Sequence, residues 1–213
     1  MQILKDDIRD EILKNSKHDF LEYGFNQTSL RTIAAKSSVT VSNIYNYFKN
    51  KNDLFTAVVS PAVSYINEIL VKSAGTDFHQ FDSPVYVQWH IEFINMIYRF
   101  INIHRDELIL LFSKSSGSHY ENFKDSTARS YAENSQCAKL ALSGHEVSYF
   151  FMHNFTLFYL NFLENLALHE HDDAKIKQYL AELTIYSHGG FNALIEQNSP
   201  LYLQILNAIG RES

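Results

Sequence analysis

The chain has 213 residues, 46% of them hydrophobic and 20% charged, with a formal net charge of -6. That composition excludes a disordered polypeptide, and 7 Gly with 3 Pro supply too little turn chemistry for a many-stranded β fold. The single cysteine, Cys137, excludes an intrachain disulfide framework and any cysteine-based zinc site.

The charge is unevenly distributed. Residues 1–60 carry 8 Lys and Arg against 7 Asp and Glu, whereas residues 61–213 carry 10 against 17. Between Tyr23 and Asn52 stand Arg31, Lys36, Lys49 and Lys51 with no acidic residue. A local basic patch is therefore expected to meet phosphate while the acidic remainder faces away. The acidic N-terminal stretch lacks a long apolar run, so a secretory signal is not expected and a cytoplasmic location is. The most membrane-like stretch, Val147–Leu163, is 17 residues long and is interrupted by His153, Asn154, Thr156 and Asn161. A spanning helix needs about 20 predominantly apolar residues, so a core or interface helix is expected there and no membrane partner.

In chain order, Ile8, Ile12, Leu13, Phe20 and Leu21 form an apolar stripe that predicts a first helix over Asp6–Tyr23. Asp6, Asp7, Asp10 and Glu11 then fall in its first turns, where the helix dipole favours negative charge, and Gly24 terminates it. Thr28 or Ser29 caps a second helix whose inner face is Leu30, Ile33 and Ala34. Ser37-Ser38-Val39 makes a turn, and Thr40 caps a third helix whose apolar members Val41, Ile44, Tyr45 and Phe48 recur at 3, 1 and 3 residues. A fourth helix is expected over Asp53–Ser73, and Gly75–Asp82 is a loop. Ser83-Pro84 opens a fifth helix running to about Ile101, apolar on most sides and therefore central. His104–Ser113, Tyr120–Leu142, His145–Leu168 and Ala174–Glu196 are expected as further helices, with a break at Ser143-Gly144. Ser199-Pro200 starts a short amphipathic tail helix. An all-α fold of about nine or ten helices follows: a three-helix N-terminal domain over 1–52 and a larger helical bundle over 53–213.

Helices two and three carry the clearest functional signal. Ala34 and Ala35 let two helices cross closely, with Ile33, Val39 and Ile44 as a small core. That arrangement leaves Ser42, Asn43, Asn46 and Tyr47 on the outer face of the third helix. Asn pairs bidentately with adenine, and Ser and Tyr bond bases or phosphates. Free N–H groups beside Thr28 and Ser29 attract phosphate, and Lys51 adds a mobile charge beyond. On the pattern alone, a solvated helical hairpin remains an equal alternative.

The residues Phe20, Gly24-Phe25, Thr28-Ser29, Ile33-Ala34, Val39, Tyr45-Asn46-Tyr47-Phe48 and Lys51-Asn52-Asp53-Leu54 extend the signal. Over Ile12–Phe55 the chain resembles the N-terminal DNA-binding domain of the tetracycline-repressor (TetR) family of bacterial transcriptional regulators. The rest of the chain resembles that family only in length and helical architecture. The family often has Ala-Gly where this chain has Ser37-Ser38, so Ser38 is expected in a conformation that glycine takes more readily. It also often has glycine where Ser42 stands. The resemblance implies Thr28, Ser29, Arg31, Thr40, Ser42, Asn43, Tyr45, Asn46, Tyr47 and Lys51 as the DNA-facing residues, and a near-palindromic duplex operator as the partner.

Residues 61–213 contain Trp89, 12 Phe and 10 Tyr. Most of these rings are expected to fill a core and a dimer interface. Trp89 and Phe93, with the polar seam His153, Asn154, Asn161, Glu164 and Asn165, could instead line a small-molecule pocket. The seam could equally lie at solvent or set dimer register. Phe151, Phe155, Phe158, Phe162 and Leu166 recur at 4, 3, 4 and 4 residues, an interface stripe. The resemblance implies a homodimer, which also suits a palindromic site. No nucleophile elbow, phosphate-binding glycine loop or zinc-protease motif occurs, so no enzyme is expected. His169-Glu170-His171-Asp172-Asp173 is expected to be a solvated turn, with no metal or cofactor. A repressor released by a small-molecule ligand is the first reading, and a DNA-binding dimer with a filled core and no such effector is the alternative.

Overall fold

The computed structural model describes residues 2–74, 84–134, 147–195 and 200–209, which contain nine helices and no strand. The expected loop over Gly75–Asp82, the Ser83 cap, Cys137, the break at Ser143-Gly144 and the Ser199 cap lie outside the described residues. The chain gathers into two compact units, one of residues 1–67, 100–125 and 162–169, the other of residues 68–99, 126–161 and 170–213.

The first unit begins with α1, Gln2–Gln27. It starts earlier than the sequence suggests, so Asp6 to Glu11 are not in its first turn. Ile12, Ser16, Asp19 and Phe20 are fully buried along one face, at the spacing one side of a helix presents. Gly24 interrupts the helix with φ 74 and ψ 167, a region open essentially only to glycine. The interruption swings Phe25 back onto Phe20 and Phe55, whose rings meet edge to face at 4.9 Å (Phe20–Phe55) and 5.2 Å (Phe25–Phe55). It also directs the Phe25 N–H to the Lys114 carbonyl at 2.9 Å.

Helix α2, Leu30–Lys36, is capped by Ser29, whose hydroxyl accepts from the Arg31 N–H at 3.2 Å. Ile33 and Ala34 are its buried residues. Ala35, expected at the crossing, is exposed instead, because one turn of helix offers only Ala34 to the inside. Ser38 makes the turn at φ 54. Helix α3 is Val41–Tyr45, capped by Thr40 accepting from the Asn43 N–H at 3.1 Å. It is shorter than the run to Phe48 suggests: Asn46 caps it, and Asn46–Phe48 close in tight turns on Asn43 and Ile44.

Helix α4, Lys51–Ala74, starts on a reciprocal cap. Asn50 Oδ1 accepts from the Asp53 N–H and Asp53 Oδ2 accepts from the Lys49 N–H, both at 2.9 Å. Leu54, Phe55, Val58, Val59, Ala62 and Ile66 are buried along it. By length and composition Lys51–Ser73 is apolar enough to cross a membrane, a property the core helix of a folded domain shares. Lys51 donates its ammonium to the carbonyls of Phe25 (2.7 Å), Asn26 (3.3 Å) and Thr28 (3.2 Å) and lies 4.3 Å over the Phe25 ring. These carbonyls lie at the end of α1, where a cation is favoured. Burial pulls the ammonium below its ordinary pKa.

Helix α5, Pro84–Ser113, joins the two segments expected as separate helices. The break survives as a kink at His104 (φ -118, ψ 26). Beyond it, Lys17 of α1 pairs with Glu107 at 2.9 Å and Asp106 at 3.2 Å. Gly117 (φ 81) lies so close to the Asn26 side chain that an added Cβ would sit 1.8 Å from Asn26 Oδ1. The His119 N–H donates to Asn52 Oδ1 at 2.9 Å, and Tyr120 packs on Phe55 with ring centroids 6.2 Å apart. Three-helix region and inter-helix segment thus form one packed unit.

Helix α6 is Phe123–Asn134 and α7 is Tyr149–His169. Ser148 caps α7, accepting from the Phe151 N–H at 3.2 Å. In the second unit, α7 meets α8, Asp173–Ile195, through the ring of Phe155 against that of Phe191 (4.9 Å), over a core of Ala132, Met152 and Phe191. The acidic turn before α8 is a cap. Asp172 Oδ1 accepts from the N–H groups of Ala174 (2.9 Å) and Lys175 (3.1 Å), and Glu170 accepts from those of Asp172 and His171. Helix α9, Pro200–Ile209, ends the described chain.

Two substitutions at positive φ should move stability in opposite directions. Ser38→Gly relieves a side chain held in the left-handed region, a gain of about 1 kcal/mol, whereas Gly24→Ala should cost about 1–3 kcal/mol. Thermal unfolding reads both, and equal midpoints in the two variants would contradict the assignment. Lys51→Met leaves three carbonyls without their shared donor and should destabilise by about 1–3 kcal/mol. Calorimetry of the variant checks it, and an unchanged midpoint would show that the clamp carries no stability.

Candidate nucleic-acid interface

The polar residues expected on α3 do come together on its outer side. Ile44 is 1% exposed and faces inward, which turns Ser42, Asn43 and Asn46 outward on the same short element. Tyr45, whose ring could have belonged to the core, is 53% exposed and joins that surface. Tyr47 is half-buried against Phe48, with centroids 6.4 Å apart. Thr40 and Ser29 are exposed at the starts of α3 and α2. Each hydroxyl accepts from a backbone N–H of its own helix and retains a hydrogen to donate outward. Arg31 is exposed on α2.

Two expected contacts are placed elsewhere. Thr28 is buried, and its hydroxyl donates to the Gly24 carbonyl at 2.7 Å, with the Asp19 carbonyl 3.1 Å away. It fastens the chain after the Gly24 interruption and has no free edge for phosphate. Lys51 is not a mobile arm, because its three donors are spent on the carbonyls that end α1.

The positive patch is correspondingly smaller than the sequence implies. Lys36 pairs with the buried carboxylate of Asp19 at 2.5 Å, which satisfies an otherwise costly charge beneath α2. Of the four cations between Tyr23 and Asn52, Arg31 and Lys49 keep their side-chain charges outward and without an ion-pair partner among the described residues. Lys49, just after α3, is exposed. Its backbone bond to Asp53 Oδ2 fixes it at the mouth of α4, beside the polar surface.

In the second unit the expected pocket residues separate into two groups. Trp89 and Phe93 of α5 stack at 4.8 Å, and Trp89 lines an open groove of about 430 Å³ with Pro84, Val85, Gln88 and Glu92. The polar seam of α7 divides: His153 and Glu164 are half-buried, Glu164 pairing with Lys124 at 2.6 Å, while the asparagines face outward. Asn154 and Asn161 are exposed, and the Asn154 amide donates to the Phe150 carbonyl of its own helix at 2.8 Å. His153 is half-buried, its ring 5.9 Å from that of Tyr149. Asn154 and Asn161 point to solvent because Met152, Thr156, Leu160 and Leu163 take the inner positions of the helix.

The interface stripe also divides. Phe151 and Phe158 are 41% and 47% exposed, while Phe155 and Phe162 are half-buried and Leu166 is 5% exposed. Leu166 belongs to the core of the first unit, where Arg105 donates to its carbonyl and to that of Ala167. Phe150 of α7 and Ile185 and Tyr186 of α8, 77%, 63% and 71% exposed, extend the apolar surface that the sequence pattern only partly marks.

Comparison with known proteins locates the same unit. Residues 12–58 match the family of bacterial regulatory proteins, tetR family. Over 69 residues the chain is 36% identical to the HTH-type transcriptional repressor BepR of Brucella suis biovar 1 (strain 1330). That match spans 32% of this chain and 33% of the repressor. The fold is similar to a TetR-like transcriptional regulator from Rhodococcus sp. RHA1, with a TM-score of 0.58 and 18% identity over 86% of this chain and 96% of that one. It is also similar to the fatty acid degradation regulator FadR of Bacillus halodurans, with a TM-score of 0.54 and 14% identity over 82% and 93% of the two chains. The likeness to the tetR family of bacterial regulatory proteins thus rests on residues 12–58, the helix-turn-helix unit, and the rest of the chain shares the fold of the solved regulators.

Proposed function

We propose that the protein is a cytoplasmic, homodimeric transcriptional repressor that reads duplex DNA through the outer face of α3 and is released from its operator by a small molecule. The observation that carries the reading is the cluster of exposed Ser42, Tyr45 and Asn46 with half-buried Asn43 around buried Ile44, flanked by Arg31 and Lys49, which have no ion-pair partner among the described residues. Residues 1–52 are assigned to DNA and residues 53–213 to dimerisation and sensing. Asn43 and Asn46 offer both a donor and an acceptor to a base edge, and Ser29, Thr40 and Tyr47 offer hydroxyls to phosphate. With few free cations, hydrogen bonding carries a larger share of the affinity than charge.

Dimerisation is supported by Phe150, Phe151, Phe158, Ile185 and Tyr186, large apolar side chains exposed on α7 and α8. Uncovered apolar surface of that kind marks an interaction site. A twofold pairing through it would hold two α3 helices at the spacing of two half-sites. Effector release requires that the ligand bind one conformation better than the other. The filled-core alternative, without such an effector, is supported by the outward turn of Asn154 and Asn161. A thermal-shift ligand panel followed by operator-release assays separates the two: a ligand that stabilises the protein and frees DNA supports release, and none doing so favours the alternative.

Genome-wide footprinting of the purified protein supplies the operator for three measurements. Arg31→Gln and Lys49→Gln should each reduce the slope of log affinity against log salt by about 1. Asn43→Ala with Asn46→Ala should change sequence preference, costing about 1–3 kcal/mol of discrimination at the affected base pairs. Unaltered salt slope and sequence preference would remove the docking mode. Phe150→Glu with Phe158→Glu should give a monomer in analytical ultracentrifugation that has lost tight operator binding; a dimer of unchanged stability would place the interface elsewhere.

A further inference from the structure

In the second unit, three polar side chains from two helices converge where no role in DNA reading or dimerisation needs them. Tyr86 and His90 stand one turn apart on α5, and His188 faces them from α8. His90 Nε2 and His188 Nδ1 are in direct contact, and the Tyr86 hydroxyl lies 3.3 Å from the same His188 nitrogen. Tyr86 and His188 are 8% and 7% exposed.

The backbone fixes how His90 presents itself. Its Nδ1 lies 2.7 Å from the Tyr86 carbonyl, which only accepts, so the ring carries its proton on Nδ1 and aims the Nε2 lone pair at His188. An imidazole oriented by a backbone carbonyl on its far nitrogen is the usual support of a metal-binding histidine. His188 brings its Nδ1 to the same point from α8. Without a metal, His188 must keep its proton on Nδ1 and donate to His90. Shifting that proton to Nε2 turns two lone pairs and a phenol oxygen toward one point. Metal–nitrogen bonds of about 2.0–2.1 Å place two ligating nitrogens about 3 Å apart, which rings already in contact reach by small side-chain rotations.

We propose that His90 Nε2, His188 Nδ1 and the Tyr86 hydroxyl form a binding site for an imidazole-preferring divalent transition metal. Copper(II) binds most tightly, in keeping with the usual order for nitrogen and oxygen donors. Among the described residues no third His, Cys, Asp or Glu joins the pair, so the remaining coordination positions belong to water or to a small ligand carried with the metal. The site is independent of the DNA-reading surface, and its test does not involve DNA.

Trp89 is the chain's single tryptophan, and its ring lies 5.1 Å from His90 and 5.3 Å from His188. Copper(II) at the site should therefore quench the emission. The full chain with Cys137→Ser, which removes the thiol as a competing ligand, is titrated with copper(II) chloride. Quenching should saturate at one equivalent. His90→Gln with His188→Gln should weaken it by about tenfold or more, and Tyr86→Phe by a smaller factor. His169→Gln with His171→Gln, in the exposed turn before α8, should leave it unchanged. Copper electron paramagnetic resonance of the unsubstituted histidine pair should show two nitrogen ligands, which keeps the proposal testable if the double variant does not fold. Emission unquenched at a hundredfold excess of copper, equal quenching in the double variant, or loss of quenching only in the His169 and His171 variant would overturn the site.

Discussion

The interruption of α1 at Gly24 is the constraint on which the DNA-reading unit depends. A continued helix would carry Phe25 away from Phe20 and Phe55, and its N–H away from Lys114. Because the backbone leaves the helix there, the following carbonyls of Phe25, Asn26 and Thr28 turn to the start of α4, where one ammonium, Lys51, serves all three. Thr28 closes the same turn with its hydroxyl. The two residues that sequence pattern most naturally offers to phosphate are thereby absorbed into the scaffold that orients α2 and α3. A helix of only five residues cannot hold its own orientation; here the first-unit core and two side-chain caps hold it.

Charge follows the same logic. A buried carboxylate at Asp19 needs a partner, and Lys36 supplies it, which takes one cation out of the exposed positive patch. The unit is thus positive by sequence but modestly so by surface. That balance suits a protein of net charge -6: in the proposed docking mode, recognition rests on oriented amides and hydroxyls, with Arg31 and Lys49 as the flanking charges.

The same first unit packs the end of α5 and the segment after it directly against these helices. Asn26 against Gly117, Asn52 against the His119 N–H, Phe55 against Tyr120, and Lys17 against Asp106 and Glu107 are four chemically distinct contacts. Steric exclusion, a hydrogen bond, ring packing and ion pairs together fix one arrangement more sharply than apolar burial alone, since each has its own geometric requirement.

Legible in the residues alone were the all-α class, most helix positions, a cap at Thr28 or Ser29, the Thr40 cap and a break of the first helix at Gly24; the family resemblance added the left-handed turn at Ser38. All of these are local: they follow from helical period, cap chemistry and the conformational range of single residues. The sequence also marked Ser42, Asn43 and Asn46, because their spacing from Ile44 fixes which way they point. What took the packing of distant elements to settle is that Thr28 and Lys51 are internal, that Lys36 is paired with Asp19, and that Asn154 and Asn161 face solvent while Leu166 does not. That packing alone brought His188 to Tyr86 and His90, nearly a hundred residues away in the chain. Those outcomes depend on which distant carbonyl, carboxylate or ring lies within about 3 Å of a given side chain, and periodicity along one helix carries no information about the neighbour it will meet.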